Sequence, residues 1–116
     1  MTYIDGFVAA VPVENKELYL EHARITSPVF KKYGALRVVD SWGDEVTDGE
    51  VTSFLMAVKA KPGEVIVFSW IEWPSKEARE KGMEQCMADP IFNHDMEMPF
   101  DGKRMLVGSF ETISDV

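Results

Sequence analysis

The sequence contains few of the residues from which metal centres and nucleophilic sites are usually built. Its 116 residues include one cysteine, Cys86, and two histidines, His22 and His94. A single cysteine cannot form an intrachain disulfide, and the histidines show no regular spacing to other metal ligands. The sequence has no nucleophile elbow, phosphate-binding loop or dinucleotide fingerprint. We therefore predict neither a bound metal nor a cofactor.

Positive charge and long apolar runs are also scarce. Lysine and arginine total 12 against 20 acidic residues, so the net charge is −8. This charge repels phosphate backbones, and nucleic acid is not an expected partner. No apolar run approaches the roughly 18 residues of a membrane span, and residues 1–7 lack the basic segment of a signal peptide. We expect a cytoplasmic protein that does not bind membranes.

The chain does contain enough apolar residues for a core. Hydrophobic residues make up 46% of the sequence, and a chain of this length can bury a core without disulfide or metal support. No internal repeat or linker interrupts it, so we expect a single domain over residues 1–116.

The strongest strand signal lies at residues 65–74, which read Val-Ile-Val-Phe-Ser-Trp-Ile-Glu-Trp-Pro. Nearly every position is apolar, which is typical of a strand that is buried on both faces. Alternation divides the apolar side chains into two sets, Val65, Val67 and Ile71 on one face and Ile66, Phe68 and Trp70 on the other. The fold must therefore provide cover on both sides of this strand.

Apolar periodicity predicts three further strands, at residues 3–11, 35–46 and 104–113, and two helices. The first helix begins at Lys16 and ends before Gly34, with a kink or break expected at Pro28. The second helix follows Ser75 as its N-cap. Their inward stripes are predicted to hold Leu18, Tyr19, His22, Ile25, Thr26, Val29, Phe30 and Tyr33, and Ala78, Gly82, Met83, Cys86 and Met87. Residues 47–63 form an insertion between the second and third strands.

This order of elements predicts an α+β protein with the ferredoxin-like βαββαβ arrangement, in which a four-stranded antiparallel sheet carries both helices on one face. The opposite face would then carry some of Phe7, Val39, Phe68, Trp70 and Val107. Soluble monomers rarely expose such an apolar patch, and two-fold pairing is the commonest way to cover one. We therefore predict a homodimer that is joined through its sheet faces.

Four motifs resemble those of one bacterial family. They are Tyr3-Ile4-Asp5-Gly6-Phe7, Tyr33-Gly34-Ala35-Leu36-Arg37, Phe68-Ser69-Trp70-Ile71-Glu72 with Pro74-Ser75-Lys76, and Met98-Pro99-Phe100-Asp101-Gly102-Lys103-Arg104-Met105. Together they resemble the YbaA-like family, a domain-of-unknown-function family of the dimeric α/β-barrel superfamily. The resemblance implies a ferredoxin-like protomer and a dimer, but no established activity. The wider superfamily includes cofactor-free monooxygenases, haem-degrading enzymes, lactone isomerases and members without known catalysis.

Arg37, Trp70 and Glu72 form the first candidate site. In the predicted topology the second and third strands are antiparallel neighbours, so Arg37 can lie opposite Glu72 and Val39 opposite Trp70. An arginine with a carboxylate partner inside an aromatic barrel could orient an anionic or carbonyl ligand. A structural cross-strand ion pair is the alternative.

Three other candidates are His94, Asp101 and Arg104. His94 has Asp95 and Glu97 near it in sequence, which suits a general base, although a surface turn explains it as well. Asp101 and Arg104 could lie at the mouth of the barrel, or simply belong to an Asp-Gly turn. His22 on the first helix is expected to be a packed histidine with one hydrogen bond.

Two functions remain open from the sequence. The first is a homodimer whose barrel either binds a small molecule or is filled as an interface. The second is a small cofactor-free enzyme of the monooxygenase or isomerase type. An enzyme would need an open cavity on which at least two polar groups converge.

Overall fold

The computed structural model describes residues 1–92 and 97–116. Its strands are β1 (Tyr3–Pro12), β2 (Arg37–Trp42), β3 (Glu64–Trp73) and β4 (Leu106–Glu111), and its helices are α1 (Lys16–Lys32), α2 (Phe54–Ala57) and α3 (Lys76–Ala88). Short 3-10 turns lie at Val13–Asn15, Pro90–Phe92 and Gly102–Arg104. No helix in the described part of the chain is long and apolar enough to cross a membrane.

Within the described residues the strands form one antiparallel sheet in the order β2-β3-β1-β4. The long central strands β1 and β3 pair along their whole length, which follows from the apolar character of both sequences. Helices α1 and α3 follow β1 and β3 and pack on the same side of the sheet. The predicted ferredoxin-like α+β arrangement is therefore confirmed.

The helix-covered face of the sheet holds the densest part of the core. Trp73 and Ile71 on β3 are almost completely buried, and they cluster with Ala35. Val67, four residues before Ile71 on the same face, packs with Val11 and is equally buried. The alternation predicted for residues 65–74 therefore assigns the helix-covered face of β3 correctly.

Helix α3 approaches the sheet closely because it carries a glycine at the point of contact. Gly82 is buried, and a Cβ atom built on it would overlap the ring of Trp73 and lie 2.7 Å from the carbonyl oxygen of Tyr33. The absent side chain therefore lets the helix backbone rest directly on a buried indole. This contact fixes the distance between α3 and β3.

Pro28 neither splits nor ends α1, so of the two outcomes expected near Ser27, a kink or a split, the split is wrong. The helix is continuous from Lys16–Lys32 although Pro28 cannot donate a backbone hydrogen bond. Thr26 and Val29 on either side of it are buried against the protein. Burial of this flank offsets the loss of one backbone hydrogen bond.

Some of five residues were expected on the face opposite the helices, and Val39, Phe68 and Trp70 lie there. The other two of the five, and two residues of the helix stripes, lie elsewhere. Phe7 pairs with Ser69 and Val107, and this register places Phe7 and Val107 on the helix-covered face rather than the opposite one. Ile25 and Met87 lie at the exposed margins of their helices. The period of 3.6 residues shows which side of a helix faces the core, but not how far around the helix the buried side extends.

The strand ends also differ from the expectation. β2 covers Arg37–Trp42, shorter than the predicted 35–46, and β4 starts at Leu106. Arg104 lies in the preceding 3-10 turn, Gly102–Arg104. Asp101 stabilises this turn because its carboxylate accepts a hydrogen bond from the backbone N–H of Lys103 at 3.0 Å. Local side-chain bonds of this kind compete with strand pairing.

The insertion folds over one end of the face that the long helices leave open. Ser53 caps the single turn α2 by accepting a hydrogen bond from the N–H of Met56 at 3.0 Å. Val58, just after this turn, is buried against Ala10 and Ile66. The chain therefore covers part of its own second sheet face. The part that stays uncovered is the open face.

Gly82→Ala should lower the free energy of unfolding by about 2 to 3 kcal/mol, because the added methyl group must displace either Trp73 or the helix. Gly102→Ala is the matched control, since a Cβ atom there meets no heavy atom within 4 Å. We expect the control to change stability by less than about 0.5 kcal/mol. Urea unfolding measures both, and equal stability of the two variants would contradict the close contact of α3.

Candidate functional site

Arg37, Trp70 and Glu72 lie together at one end of the sheet, in the register expected from the sequence. Arg37 pairs with Glu72 and Val39 with Trp70 across β2 and β3. The Arg37 Nε atom lies 3.4 Å from Glu72 Oε2, and Trp70 Nε1 donates a hydrogen bond to the same oxygen at 3.0 Å. The Arg37 side chain is 63% exposed, so its guanidinium can still reach another group.

A row of aromatic rings leads from this cluster across the open face. The ring centroids of Trp70 and Phe68 are 5.7 Å apart, and those of Phe68 and Phe54 are 6.0 Å apart. Strand β4 adds Leu106 and Phe110 to this apolar surface. A Cβ atom on Gly108 would lie 3.0 Å from the Phe110 ring, so glycine allows that ring to lie close to the sheet.

The open face holds an apolar groove of about 520 Å³. Its walls include Ile4, Val8, Phe68, Trp70, Leu106 and Phe110. The exposed fractions of Phe68, Leu106 and Phe110 are 47%, 44% and 60%. The insertion therefore leaves a large aromatic surface in contact with solvent.

Asp101 and Arg104 belong to a different cluster, at the other end of the sheet. Two nitrogens of the Arg104 guanidinium donate to the two carboxylate oxygens of Glu64, at 2.8 and 2.7 Å. Its remaining donors reach Asp101 Oδ2 at 3.1 Å and the carbonyl oxygen of Lys59 at 2.9 Å. Arg104 therefore ties the start of β4 to the start of β3 and to the insertion.

This bidentate contact has a clear electrostatic effect. The hydrogen bonds from Arg104 hold the pKa of Glu64 at about 2, below its ordinary 4.5. The hydrogen bond from the backbone of Lys103, followed by that from Arg104, lowers the pKa of Asp101. Both carboxylates are therefore ionised at neutral pH, and their partners favour a structural role.

The structure does not bring the candidate residues into one site. Glu64 and Glu72 are eight positions apart on β3, which separates the two clusters by roughly 26 Å. His94 lies outside the described residues. Among the described residues, no group of three or more His, Cys, Asp or Glu side chains could hold a metal ion.

A second cavity, of about 180 Å³, lies between α1 and the helix-covered face of the sheet. Its polar side is formed by Tyr19, His22, Asp40 and Ser69, and Asp40 and Ser69 are cross-strand partners. The Tyr19 hydroxyl donates to Asp40 Oδ1 at 2.7 Å. Burial, with this hydrogen bond, raises the pKa of Tyr19 far above its ordinary value, so the phenol stays protonated.

His22 lines the same cavity one turn after Tyr19. Its Nδ1 atom is buried, and within the described chain it has no hydrogen-bond partner. Burial lowers the pKa of the His22 imidazole, against an opposite effect of the Asp40 charge. The expected single hydrogen bond of a packed histidine is therefore not made by Nδ1, and the imidazole is neutral at neutral pH.

Sequence reasoning missed this cavity because its polar groups come from distant positions. Tyr19 and Asp40 are 21 residues apart and meet only after α1 packs on the sheet. One signal was present, since Tyr19 and His22, at i and i+3 spacing, are two of the few side chains with a polar end on a largely apolar stripe. Such tips need partners when they are buried.

Asp5 forms another buried polar cluster that the sequence did not reveal. Its carboxylate accepts hydrogen bonds from Ser109 Oγ at 2.6 Å and from Trp73 Nε1 at 3.0 Å. Arg79 on α3 adds an ion pair through Nη2 at 3.0 Å. Because these donors surround the carboxylate and join α3, β3 and β4 to β1, the cluster has a structural explanation.

Cys86 is buried on the inner side of α3. Burial raises the pKa of its thiol to about 11, above the ordinary 9.0. A thiol that stays protonated at neutral pH is a poor nucleophile.

Comparisons with known proteins place this geometry in context. Residues 2–102 match a family model that is described as "Protein of unknown function (DUF1428)". Two relatives named "Uncharacterized protein YbaA", from Escherichia coli strain K12 and from Shigella flexneri, are each 53% identical over 116 residues and 99% of both chains. A crystal structure described as a dimeric ferredoxin-like protein, from an uncultured marine organism, is 12% identical. It aligns with a TM-score of 0.62 over 99% of this chain and 98% of its own.

Glu64→Gln should lower the free energy of unfolding at neutral pH by about 2 kcal/mol, because it removes a charge-assisted pair with Arg104. Because the pKa of Glu64 is lowered in the folded protein, its ionised carboxylate stabilises the fold. This stabilisation is complete above pH 4.5 and is lost as the pH falls towards about 2. The stability difference between wild type and variant should therefore shrink over that interval.

The control for this experiment is Glu72→Gln, whose partner Arg37 is 63% exposed. An exposed pair contributes little, so we expect a loss below about 1 kcal/mol. Urea unfolding at a series of pH values measures all three proteins. A constant difference between wild type and Glu64→Gln from pH 5 to pH 2 would contradict the structural role of the Arg104 cluster.

Proposed function

The chain belongs to the DUF1428 family of proteins of unknown function, and from this premise we propose that it acts as a homodimer whose open faces enclose a chamber for a small apolar molecule. The observation that carries the proposal is the uncovered apolar surface of Phe68, Leu106 and Phe110. In water this surface is unfavourable by roughly 25 cal/mol per Å² of apolar area. Pairing two identical faces removes it from water on both protomers at once.

Two further observations support a second copy as the partner. The ferredoxin-like neighbour, which has the same fold, is described as dimeric. The rim of the open face also carries charges of both signs, with Arg37 and Glu72 close together. In a two-fold dimer, the positive groups of one rim can therefore face the negative groups of the other rim.

Phe110→Glu should convert the dimer to a monomer, because it places a carboxylate within the apolar surface of the proposed interface. Phe110 is 60% exposed in the protomer, so the protomer itself should stay folded. Leu20→Glu is the control, since Leu20 is an exposed apolar residue on α1, on the other side of the sheet.

Sedimentation velocity gives the outcome directly. Wild type and Leu20→Glu should sediment at twice the 13.1 kDa protomer mass, and Phe110→Glu at the protomer mass. We expect a weakening of self-association of at least about 100-fold, as for a charge buried in an apolar interface. A wild-type protein that remains monomeric at micromolar concentration would contradict the proposal.

The groove on each protomer determines which kind of molecule the proposed chamber would bind. Its walls are apolar and its volume is about 520 Å³ before pairing. Trp70, which forms part of the wall, hydrogen-bonds to Glu72, the ion partner of Arg37. A bound molecule with an apolar chain and a carboxylate or carbonyl group could therefore place its chain in the groove and its polar end near Arg37.

Octanoate and 1-octanol are suitable probes because they share an apolar chain and differ in charge. Arg37→Met should weaken octanoate binding by about tenfold and leave 1-octanol binding unchanged, since only the carboxylate needs the guanidinium. Arg24→Met is the control, because Arg24 is an exposed arginine on α1. Calorimetry of the dimer measures each affinity. A dimer that binds neither probe would indicate a chamber that is filled by side chains.

A small enzyme of the isomerase or monooxygenase type is the second candidate function. The observation that favours it is the convergence of Tyr19, Asp40 and His22 on the cavity beneath α1. A neutral imidazole beside a carboxylate suits proton transfer. Its location differs from the Arg37, Trp70 and Glu72 cluster, so the two functions need not share a site.

A further inference from the structure

The cavity beneath α1 combines an apolar body with a small polar end. Its apolar walls include Ala23 and Phe30 on α1, Val38 on β2, Ile71 on β3, and Phe100. Tyr19, His22, Thr26, Ser27, Asp40 and Ser69 supply the groups of the polar end. Its volume of about 180 Å³ is close to the roughly 150 Å³ at which an apolar protein cavity accepts one benzene ring.

We propose that this cavity binds an uncharged molecule made of one aromatic ring with one hydroxyl group, a simple phenol or aryl alcohol, and that His22 accepts the hydrogen bond of that hydroxyl. The site is separate from the open face and does not depend on the dimer. It requires a binding step only, whether or not catalysis follows.

The hydrogen-bond inventory of the polar end supports a hydroxyl group. The Tyr19 hydroxyl is already donated to Asp40, and the Thr26 hydroxyl is donated to the His22 carbonyl oxygen at 2.9 Å. The Nδ1 atom of His22 is left buried without a partner among the described residues. A buried polar atom without a hydrogen-bond partner destabilises the fold, because it has lost its contacts with water. A small rotation of the ring towards a bound hydroxyl would relieve it.

The charges around the cavity support an uncharged ligand. Asp40 is the one acidic residue among the described lining residues, and none of them is lysine or arginine. A carboxylate or phosphate group would therefore meet a negative charge with no cation to balance it. A phenol has no such penalty, and its ring can pack edge to face against Phe30 and Phe100.

Three para-substituted fluorobenzenes test the proposal by ¹⁹F NMR on the wild-type protein. The probe is 4-fluorophenol, 4-fluorotoluene replaces the hydroxyl by a methyl group of similar size, and 4-fluorobenzoate adds a charge. We expect 4-fluorophenol to bind at least about fivefold more tightly than 4-fluorotoluene, the equivalent of one hydrogen bond. We expect 4-fluorobenzoate not to bind in this cavity.

Variants on α1 then assign the binding to His22. His22→Leu should reduce 4-fluorophenol affinity to that of 4-fluorotoluene, and His22→Asn, which keeps a polar atom near the Nδ1 position, should restore part of the preference. Arg24→Leu is the matched control on the exposed side of the same helix. Thermal melting confirms that each variant is folded before its affinity is compared.

The ring protons of His22 give a readout that the open face cannot produce. The sequence has two histidines, so the His22 signal is assigned from its loss in His22→Leu. Saturation with 4-fluorophenol should move this signal in wild type and equally in the monomeric Phe110→Glu variant. Equal affinity for 4-fluorophenol and 4-fluorotoluene, an unmoved His22 signal, or wild-type affinity in His22→Leu would each overturn the proposal. Failure of the dimer would leave it standing.

Discussion

The organisation of this protein depends on one strand that is apolar on both faces. The face of β3 with Ile71 and Trp73 is covered by helices, whereas the face with Phe68 and Trp70 is covered only at one end, where Val58 packs on Ile66. Two helices that follow right-handed crossovers must lie on the same side of the sheet. The described part of the protomer therefore has no long helix or strand left to cover the second face, and this shortage is the physical basis of the proposed pairing.

Buried ion pairs hold the edges of this arrangement in register. The Asp5 carboxylate joins three strands or helices to the inner strand β1, and Arg104 joins the start of β4 to Glu64 and to the insertion. Such clusters are costly to desolvate, and they are tolerated where all their donors and acceptors are matched. The sequence made Arg104 a candidate for ligand binding. In the structure its guanidinium already donates hydrogen bonds to Glu64, Asp101 and Lys59, which favours a structural role.

The parts of the site that the sequence predicted are those set by neighbouring strands. Opposition of Arg37 to Glu72 follows from strand pairing and alternation, which depend on a period of two residues and a known topology. Phe7 was one of five residues offered for the face opposite the helices, but it lies on the helix-covered face. Its strand is apolar at almost every position, so the alternation of apolar and polar residues could not assign its face. The cavity beneath α1 was missed because the contact of Tyr19 with Asp40 depends on the height and rotation of a helix over the sheet.

By itself the sequence determined the order of elements, the central place of β3, the family and the excess of apolar surface over available cover. These properties are local or additive, since they depend on periodicity, motifs and the number of apolar residues. The tertiary structure alone decided that Arg104 and Arg37 lie at opposite ends of the sheet, that Gly82 brings α3 onto Trp73, and that His22 keeps an unpartnered nitrogen beside a cavity. Those outcomes depend on packing between distant segments, which no local pattern encodes.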